Sequence, residues 1–167
     1  MITKALKNFN IRQIADSGQC FRMVPCDPNR SQTAYRVISG GHFLIVDQNR
    51  DEVIFHCPND EFAFWDHYFD LGTDYGAYIR AVDPADEYLS KAAAFGSGIR
   101  ILNQDLWEMI ITFLISQQNN LTRIRGCVER LCQHYGKHLK AEDGTGYYAF
   151  PTPEELVKAT EEELRAL

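Results

Sequence analysis

Residues 105–136 read DLWEMIITFLISQQNNLTRIRGCVERLCQHYG, and this stretch decides the class of fold. Its first part, residues 106–115, carries apolar residues on every side of a helix, which predicts a helix buried at the centre of the protein. Asp105 and Glu108 have the spacing of a capping box at the start of that helix. After a polar break, apolar residues recur at spacings of three and four as far as Gly136, which predicts a second helix.

The residues upstream of this stretch predict a β-rich N-terminal region. Pairs of apolar runs are joined by short turns at Gly40-Gly41 and at residues 47–51, and such local connections predict hairpins of an antiparallel sheet. The apolar residues within 9–14 are expected to belong to this β region. The apolar spacing then becomes helical, and three short helices are expected within residues 60–95.

Capping signals mark further helix ends. Asp83 precedes Pro84 and is the expected N-cap of the third short helix. Beyond residue 136 the glycines around residue 145 indicate a loop, after which a helix begins near residue 151. Thr160, with a glutamate at capping-box spacing, is expected to start a last helix.

Composition and charge narrow the class of protein. The chain has 167 residues, 45% of them hydrophobic, with a net charge of -6, which is typical of a folded globular protein and argues against disorder. No apolar run has the length of a membrane span, and the N-terminus lacks the apolar segment of a signal peptide. The five cysteines include no CxxC pair, so we expect free thiols in a reducing cytoplasm, nucleoid-associated if the source is bacterial.

The charge is unevenly distributed along the chain. Residues 1–46 and 91–140 are basic, whereas residues 47–90 and 141–167 are acidic. If the basic segments share a face of the fold, they could hold a phosphate backbone, and the alternative is that all four are ordinary solvated surfaces.

The residues alone show no catalytic constellation. The chain contains no glycine-rich phosphate loop, no HExxH and no GxSxG. The histidines offer only the i,i+4 pair His134 and His138, which without a third ligand indicates a solvated helix end, so no metal and no cofactor are expected.

Polar residues are unusually placed in two segments. Residues 17–22 contain Gly18, and a glycine next to a strand lets another molecule approach the backbone closely, although an ordinary turn would read the same way. Residues 116–120 place four amides at the end of a predicted helix, followed by Arg123 near the start of the next. Amides donate and accept as base edges require, but they could equally be helix caps at a corner between two helices.

Those two segments, with two others, resemble signature segments of 8-oxoguanine DNA glycosylases in the same order and at similar spacing. The four segments are residues 16–22 (DSGQCFR), 67–75 (HYFDLGTDY), 98–105 (GIRILNQD) and 113–132 (FLISQQNNLTRIRGCVERLC).

The resemblance implies an α+β fold. Residues 1–82 would form an antiparallel TATA-binding-protein-like β-domain, and residues 83–167 the first helices of an all-α DNA glycosylase domain. The implied activity belongs to base excision repair: 8-oxoguanine opposite cytosine is removed from double-stranded DNA and the abasic strand is cleaved, which makes the parent protein a hydrolase and lyase. No position matches the helix–hairpin–helix loop, the nucleophilic lysine or the catalytic aspartate of the family. We therefore expect about the N-terminal half of such an enzyme, inactive by itself and with no catalytic residue.

The resemblance also implies a recognition site in two parts. Gly18, Gln19 and Phe21 match positions of the damaged-base site, where the Gly18 carbonyl would accept a hydrogen bond from the lesion. A second set matches positions that contact the estranged cytosine and the DNA: Gln118, Asn119, Asn120 and Arg123.

The chain departs from the family pattern at several positions, such as Met23, Gly72, Asn103 and Gln117. An SQQ sequence at this place also occurs in alkylated-base glycosylases, which are therefore an alternative to the 8-oxoguanine enzymes. A stand-alone, non-catalytic module that binds DNA or protein is a further alternative.

Overall fold

An antiparallel sheet forms the N-terminal half of the structure, a computed structural model that describes residues 1–26 and 33–167. Its five strands lie in the order β1-β5-β4-β3-β2. They are β1 (Ile2–Ala5), β2 (Met23–Pro25), β3 (Ala34–Ser39), β4 (His42–Asn49) and β5 (Glu52–His56). Gly40 and Gly41 close the β3–β4 hairpin with φ of +55° and +79°, the left-handed conformation that glycine adopts most easily in such turns. Both hairpins predicted from the sequence are confirmed.

The first helix, α1 (Ile11–Asp16), corrects the expectation of β structure at residues 9–14. The Asn10 side chain caps the helix by accepting from the Gln13 amide at 3.1 Å. The apolar residues Ile11, Ile14 and Ala15 have helical spacing and are all buried. A helix of six residues is too short for this spacing to stand out from alternation in the sequence, which is why the prediction was wrong.

Three helices follow the sheet, as predicted: α2 (Phe62–Tyr68), α3 (Tyr75–Arg80) and α4 (Glu87–Phe95). Aromatic side chains of α2, including the fully buried Trp65, pack with sheet residues in the main core. The N-cap of α4 is Asp86 rather than Asp83, whose carboxylate accepts from the Ala85 amide in the preceding turn. Because two aspartates precede this helix, either could have capped it.

Two longer helices, α5 (Leu106–Ser116) and α6 (Leu121–Tyr135), precede a small hairpin of β6 (His138–Lys140) and β7 (Gly146–Tyr148). The sequence predicted a loop instead of this hairpin. The Tyr147 hydroxyl donates to the Gly41 carbonyl at 2.9 Å, which attaches the hairpin to the sheet. Two capped short helices, α7 (Pro153–Leu156) and α8 (Glu161–Ala166), complete the described chain.

Helix α5 is not buried, contrary to the prediction. Its two buried residues are Glu108 and Thr112, both polar. Most of its large apolar side chains lie at the surface: Leu106, Met109, Ile110, Phe113 and Leu114. The Asp105 carboxylate accepts from the Glu108 amide at 2.8 Å, but the Glu108 side chain faces the sheet, so the cap is not the reciprocal box that was expected.

These elements confirm the α+β class with an antiparallel sheet. The division at residue 82 stays a prediction, since the main core takes Leu102 from beyond it. Among the described helices, none has the combination of length and apolarity required to span a bilayer.

Candidate nucleic-acid interface

The turn after α1 presents a free backbone carbonyl. Gly18 is exposed and has a φ of +80°, and no heavy atom lies within 4 Å of the place a Cβ would occupy. Within residues 1–26 and 33–167, no group donates a hydrogen bond to its carbonyl oxygen. This oxygen is therefore available to a donor on another molecule.

Gln19 is engaged within the protein rather than free. Its Nε2 donates to the Arg100 carbonyl at 2.9 Å, and its Oε1 accepts from the Leu102 amide at 3.0 Å. Its own carbonyl accepts from Gln104 Nε2 at 2.7 Å. Gln19 thus clamps the segment before α5 against the turn.

Phe21 and Arg22 connect the turn to the helices. Phe21 packs against a cluster that includes Ile124 of α6. The buried Arg22 donates through Nη2 to the Tyr148 carbonyl at 2.6 Å and lies 3.7 Å from a carboxylate oxygen of Glu129 on α6. The turn and helix α6 are therefore packed together, as a common recognition surface requires.

Two of the amides at the α5–α6 corner are hydrogen-bonded within the corner. Asn119 Nδ2 donates to the Ile115 carbonyl at 3.2 Å, and its Oδ1 accepts from the Asn120 amide at 2.9 Å. Asn120 is the N-cap of α6, where its Oδ1 accepts from the Arg123 amide at 3.1 Å. The interpretation of these amides as helix caps therefore holds for Asn120, whereas Asn119 joins the last turn of α5 to the start of α6.

The other two predicted residues of this corner have unengaged side chains. Gln118 is exposed and sits in the left-handed region with a φ of +51°. Arg123 is exposed in the first turn of α6, where a cation opposes the helix dipole. In the part of the chain that the structure describes, neither side chain makes a hydrogen bond or ion pair. Both are available to contact a base or a phosphate.

Two buried charged residues, Glu108 and Arg100, were not identified from the sequence as candidate site residues. Burial raises the pKa of Glu108 to about 7, although Arg22 acts in the opposite direction. One carboxylate oxygen, Oε2, has no hydrogen-bond partner among the described residues. The second charge, Arg100, donates through Nη1 to the Asp70 carbonyl at 2.5 Å and lies 4.5 Å from the centre of the Tyr75 ring. A charged residue inside an apolar run was the signal that could have identified Glu108.

Among the described residues, no cluster of three or more His, Cys, Asp or Glu side chains could hold a metal ion. Cys20, Cys57, Cys127 and Cys132 form no disulfide bond among the described residues.

The fold of the chain is shared with solved DNA glycosylases. The 3-methyladenine DNA glycosylase from Archaeoglobus fulgidus has the same fold, with a TM-score of 0.71 over 99% of this chain and 61% of that chain. The identity is 18%, so this likeness shows the fold alone. Residues 1–110 match the family described as 8-oxoguanine DNA glycosylase, N-terminal domain. The chain belongs to this family.

The names of individual relatives agree with this family assignment. The N-glycosylase/DNA lyase of Saccharomyces cerevisiae is 42% identical over 85 residues, which are 50% of this chain and 22% of that protein. The Clostridium acetobutylicum 8-oxoguanine glycosylase/lyase, solved with double-stranded DNA containing cytosine opposite 8-oxoguanine, is 34% identical with a TM-score of 0.87. The match covers 96% of this chain and 54% of that one, so the chain spans about half of the solved enzyme.

Proposed function

We propose that this chain is the lesion-binding N-terminal part of an 8-oxoguanine DNA glycosylase/lyase, and that its partner is double-stranded DNA containing oxidised guanine. The observation that carries the proposal is the unengaged Gly18 carbonyl, in a turn whose Phe21 packs with the helix bearing Arg123. The 34% identity to an enzyme solved with 8-oxoguanine DNA supports the substrate class.

The Gly18 carbonyl can distinguish the lesion from guanine. 8-Oxoguanine carries a hydrogen on N7, where guanine has a lone pair. A carbonyl aimed at N7 accepts a hydrogen bond from the lesion and repels guanine. One hydrogen bond gained against one acceptor clash amounts to a few kcal/mol, or a discrimination of about a hundredfold. Because the base must leave the duplex to reach this carbonyl, unstacking opposes binding by a few kcal/mol.

The orphaned cytosine presents one donor, N4, and two acceptors, N3 and O2. Arg123 would donate to the acceptors, and the side-chain oxygen of Gln118 would accept from N4. Two such contacts would make the complex prefer cytosine over adenine as the partner base.

We assign cleavage of the glycosidic bond to the longer parent enzyme rather than to this chain. No residue of this chain matches the family's lysine nucleophile or catalytic aspartate, and cleavage of a glycosidic bond needs an activated nucleophile or base. We therefore propose that the 167-residue chain binds the damaged base in DNA but does not cleave its glycosidic bond. We also propose a cytoplasmic location, since an odd number of cysteines without a CxxC pair suits a reducing compartment.

The test measures binding of the chain to matched duplexes by fluorescence anisotropy at low salt. We expect tighter binding to 8-oxoguanine opposite cytosine than to guanine opposite cytosine or to 3-methyladenine opposite thymine. The Arg123→Ala variant should lose about 1–3 kcal/mol of the preference for cytosine over adenine opposite the lesion. Equal affinity for all duplexes would refute the proposal, and a preference for 3-methyladenine would favour an alkylated-base enzyme.

A further inference from the structure

Two segments identified in the sequence, residues 67–75 and 98–105, have no part in the proposed contacts with DNA. The first runs from the end of α2 to the first residue of α3, and the second leads into α5. Hydrogen bonds place residues 100–104 between the turn that carries Gly18 and the loop formed by the first segment. Residues 100–104 therefore have one side toward the candidate lesion contact and the other side toward the loop.

On the turn side, three hydrogen bonds from this segment reach Gln19, whose nitrogen shares a peptide bond with the Gly18 carbonyl. Gln19 Nε2 donates to the Arg100 carbonyl at 2.9 Å, and Gln19 Oε1 accepts from the Leu102 amide at 3.0 Å. The Gln19 carbonyl accepts from Gln104 Nε2 at 2.7 Å. Because the peptide unit is planar, holding Gln19 at both its side chain and its carbonyl limits how far the Gly18 carbonyl can rotate.

On the loop side, the Tyr75 hydroxyl contacts the same segment. It accepts from the Ile101 amide at 2.9 Å and donates to Asp70 Oδ2 at 2.9 Å. Asp70 has a φ of +49°, and its Oδ1 accepts from the Thr73 hydroxyl at 2.9 Å. Since the hydroxyl proton is bonded to the carboxylate, the lone pairs of the Tyr75 oxygen are left to accept from Ile101.

Arg100 contacts both neighbours of the segment. It is 4% exposed, and its guanidinium lies 4.5 Å from the centre of the Tyr75 ring. Nη1 donates to the Asp70 carbonyl at 2.5 Å and to the Thr73 carbonyl at 3.3 Å, whereas the Arg100 main-chain carbonyl accepts from Gln19. A planar guanidinium that is stacked on a ring and bonded to two carbonyls has little freedom to move. The loop and the turn are thus connected through this one residue.

We propose that Tyr75 and Arg100 are positioning residues for the recognition of 8-oxoguanine. Through residues 100–104 they hold Gln19 in place, and Gln19 fixes the direction of the Gly18 carbonyl. They act through these bonds and not by contact with the base. A hydrogen bond weakens steeply when its acceptor is misdirected, so loosening the segment reduces the discrimination between the lesion and guanine. The inference rests on the proposed function, because it concerns that discrimination.

The first experiment measures binding of Tyr75→Phe and the wild-type chain to two duplexes, 8-oxoguanine opposite cytosine and guanine opposite cytosine, by fluorescence anisotropy. Phenylalanine keeps the ring beside Arg100 and removes only the hydroxyl. We expect the preference for the lesion duplex to fall about 3- to 10-fold, as for the loss of one hydrogen bond. Affinity for the guanine duplex should stay within about twofold, because contacts with the phosphate backbone do not depend on the base.

The second experiment measures amide hydrogen exchange at Leu102, which is bonded to Gln19 and not to Tyr75. In Tyr75→Phe this exchange should accelerate about 3- to 10-fold, because the segment is held on one side only. Arg100→Lys keeps the charge but loses the planar fork, and it should lower the preference for the lesion in the same way.

Two tyrosines provide matched controls for the loss of a hydroxyl. Tyr78 lies on α3 like Tyr75, is 67% exposed, and its hydroxyl has no hydrogen bond among the described residues. The Tyr147 hydroxyl donates to the Gly41 carbonyl at 2.9 Å, so Tyr147→Phe loses one hydrogen bond that joins the β6–β7 hairpin to the sheet. Tyr78→Phe and Tyr147→Phe should both keep the wild-type preference and the wild-type exchange at Leu102.

Three results would overturn the proposal. Tyr75→Phe or Arg100→Lys could keep the full preference, affinity for both duplexes could fall equally, or Tyr147→Phe could lower the preference as much as Tyr75→Phe. A wild-type chain that binds both duplexes equally would contradict the proposed function instead. Exchange at Leu102 then decides the inference by itself: acceleration in Tyr75→Phe supports the positioning of Gln19, and no acceleration overturns it.

Discussion

The substitution Glu108→Gln tests the buried carboxyl that joins α5 to the sheet. Glu108 is 8% exposed and faces Arg22, the Ser39 hydroxyl and the Gly40 amide. These groups favour the ionised form, but burial outweighs them and raises the pKa from 4.5 to about 7. Glutamine keeps the shape of the side chain and removes its ionisation.

The sign and size of the effect follow from the linkage between protonation and folding. A carboxyl whose pKa is higher in the folded state contributes stability below its unfolded pKa and loses it as the pH rises through the folded value. With pKa values of 4.5 unfolded and about 7 folded, this group should lower the free energy of unfolding by about 2.5 kcal/mol between pH 5 and pH 8. Because glutamine does not ionise, the unfolding free energy of the Glu108→Gln variant does not fall for this reason.

The measurement is denaturant unfolding followed by tryptophan fluorescence, because Trp65 is fully buried and reports on the core. The difference in unfolding free energy between Glu108→Gln and the wild-type chain should move by about 2.5 kcal/mol in favour of the variant from pH 5 to pH 8. Using the difference cancels the other titrating groups. Glu52→Gln, at an exposed position of β5, is the control and should give a difference within about 0.5 kcal/mol at both pH values. A Glu108 difference that does not change with pH would show that the carboxyl is not protonated in the folded state at pH 5–7.

Two further predictions concern the turn. Gln19→Ala should destabilise the chain by about 2–3 kcal/mol, because the Leu102 amide and the Arg100 carbonyl lose their partners, and amide hydrogen exchange at Leu102 should accelerate; unchanged protection would count against the clamp. Gly18→Ala should cost about 1–2 kcal/mol from backbone strain at positive φ, with no steric clash, and thermal melting would measure it. The same variant should reduce the binding preference for 8-oxoguanine over guanine, and an unchanged preference would contradict the role of the carbonyl.

Local sequence patterns predicted most elements of the fold. The Gly40-Gly41 hairpin and the Thr160 cap depend on residues adjacent in the chain, and the structure has them where expected. The errors arose where the local signal was short or ambiguous. The six-residue α1 was expected as β structure, and the β6–β7 hairpin as a loop.

The sequence also limited the candidate site to two segments, but it could not say which polar groups in them were free. Gln19 and Gln118 are the same residue type, yet the first is bonded to the segment 100–104 and the second is unengaged among the described residues. The partners of Gln19 lie about eighty positions along the chain, and only folding brings them within reach.

The sequence by itself determined most of the strands, turns and helix ends, because these depend on neighbouring residues and on backbone conformation. Only the tertiary structure decided which helix faces are exposed and which polar atoms have no hydrogen-bond partner among the described residues. Helix α5 is the clearest case: its composition predicted burial, but its polar residues Glu108 and Thr112 pack inward and most of its large apolar side chains face solvent. Burial is a property of what packs against a helix, and that is set by residues distant in the chain.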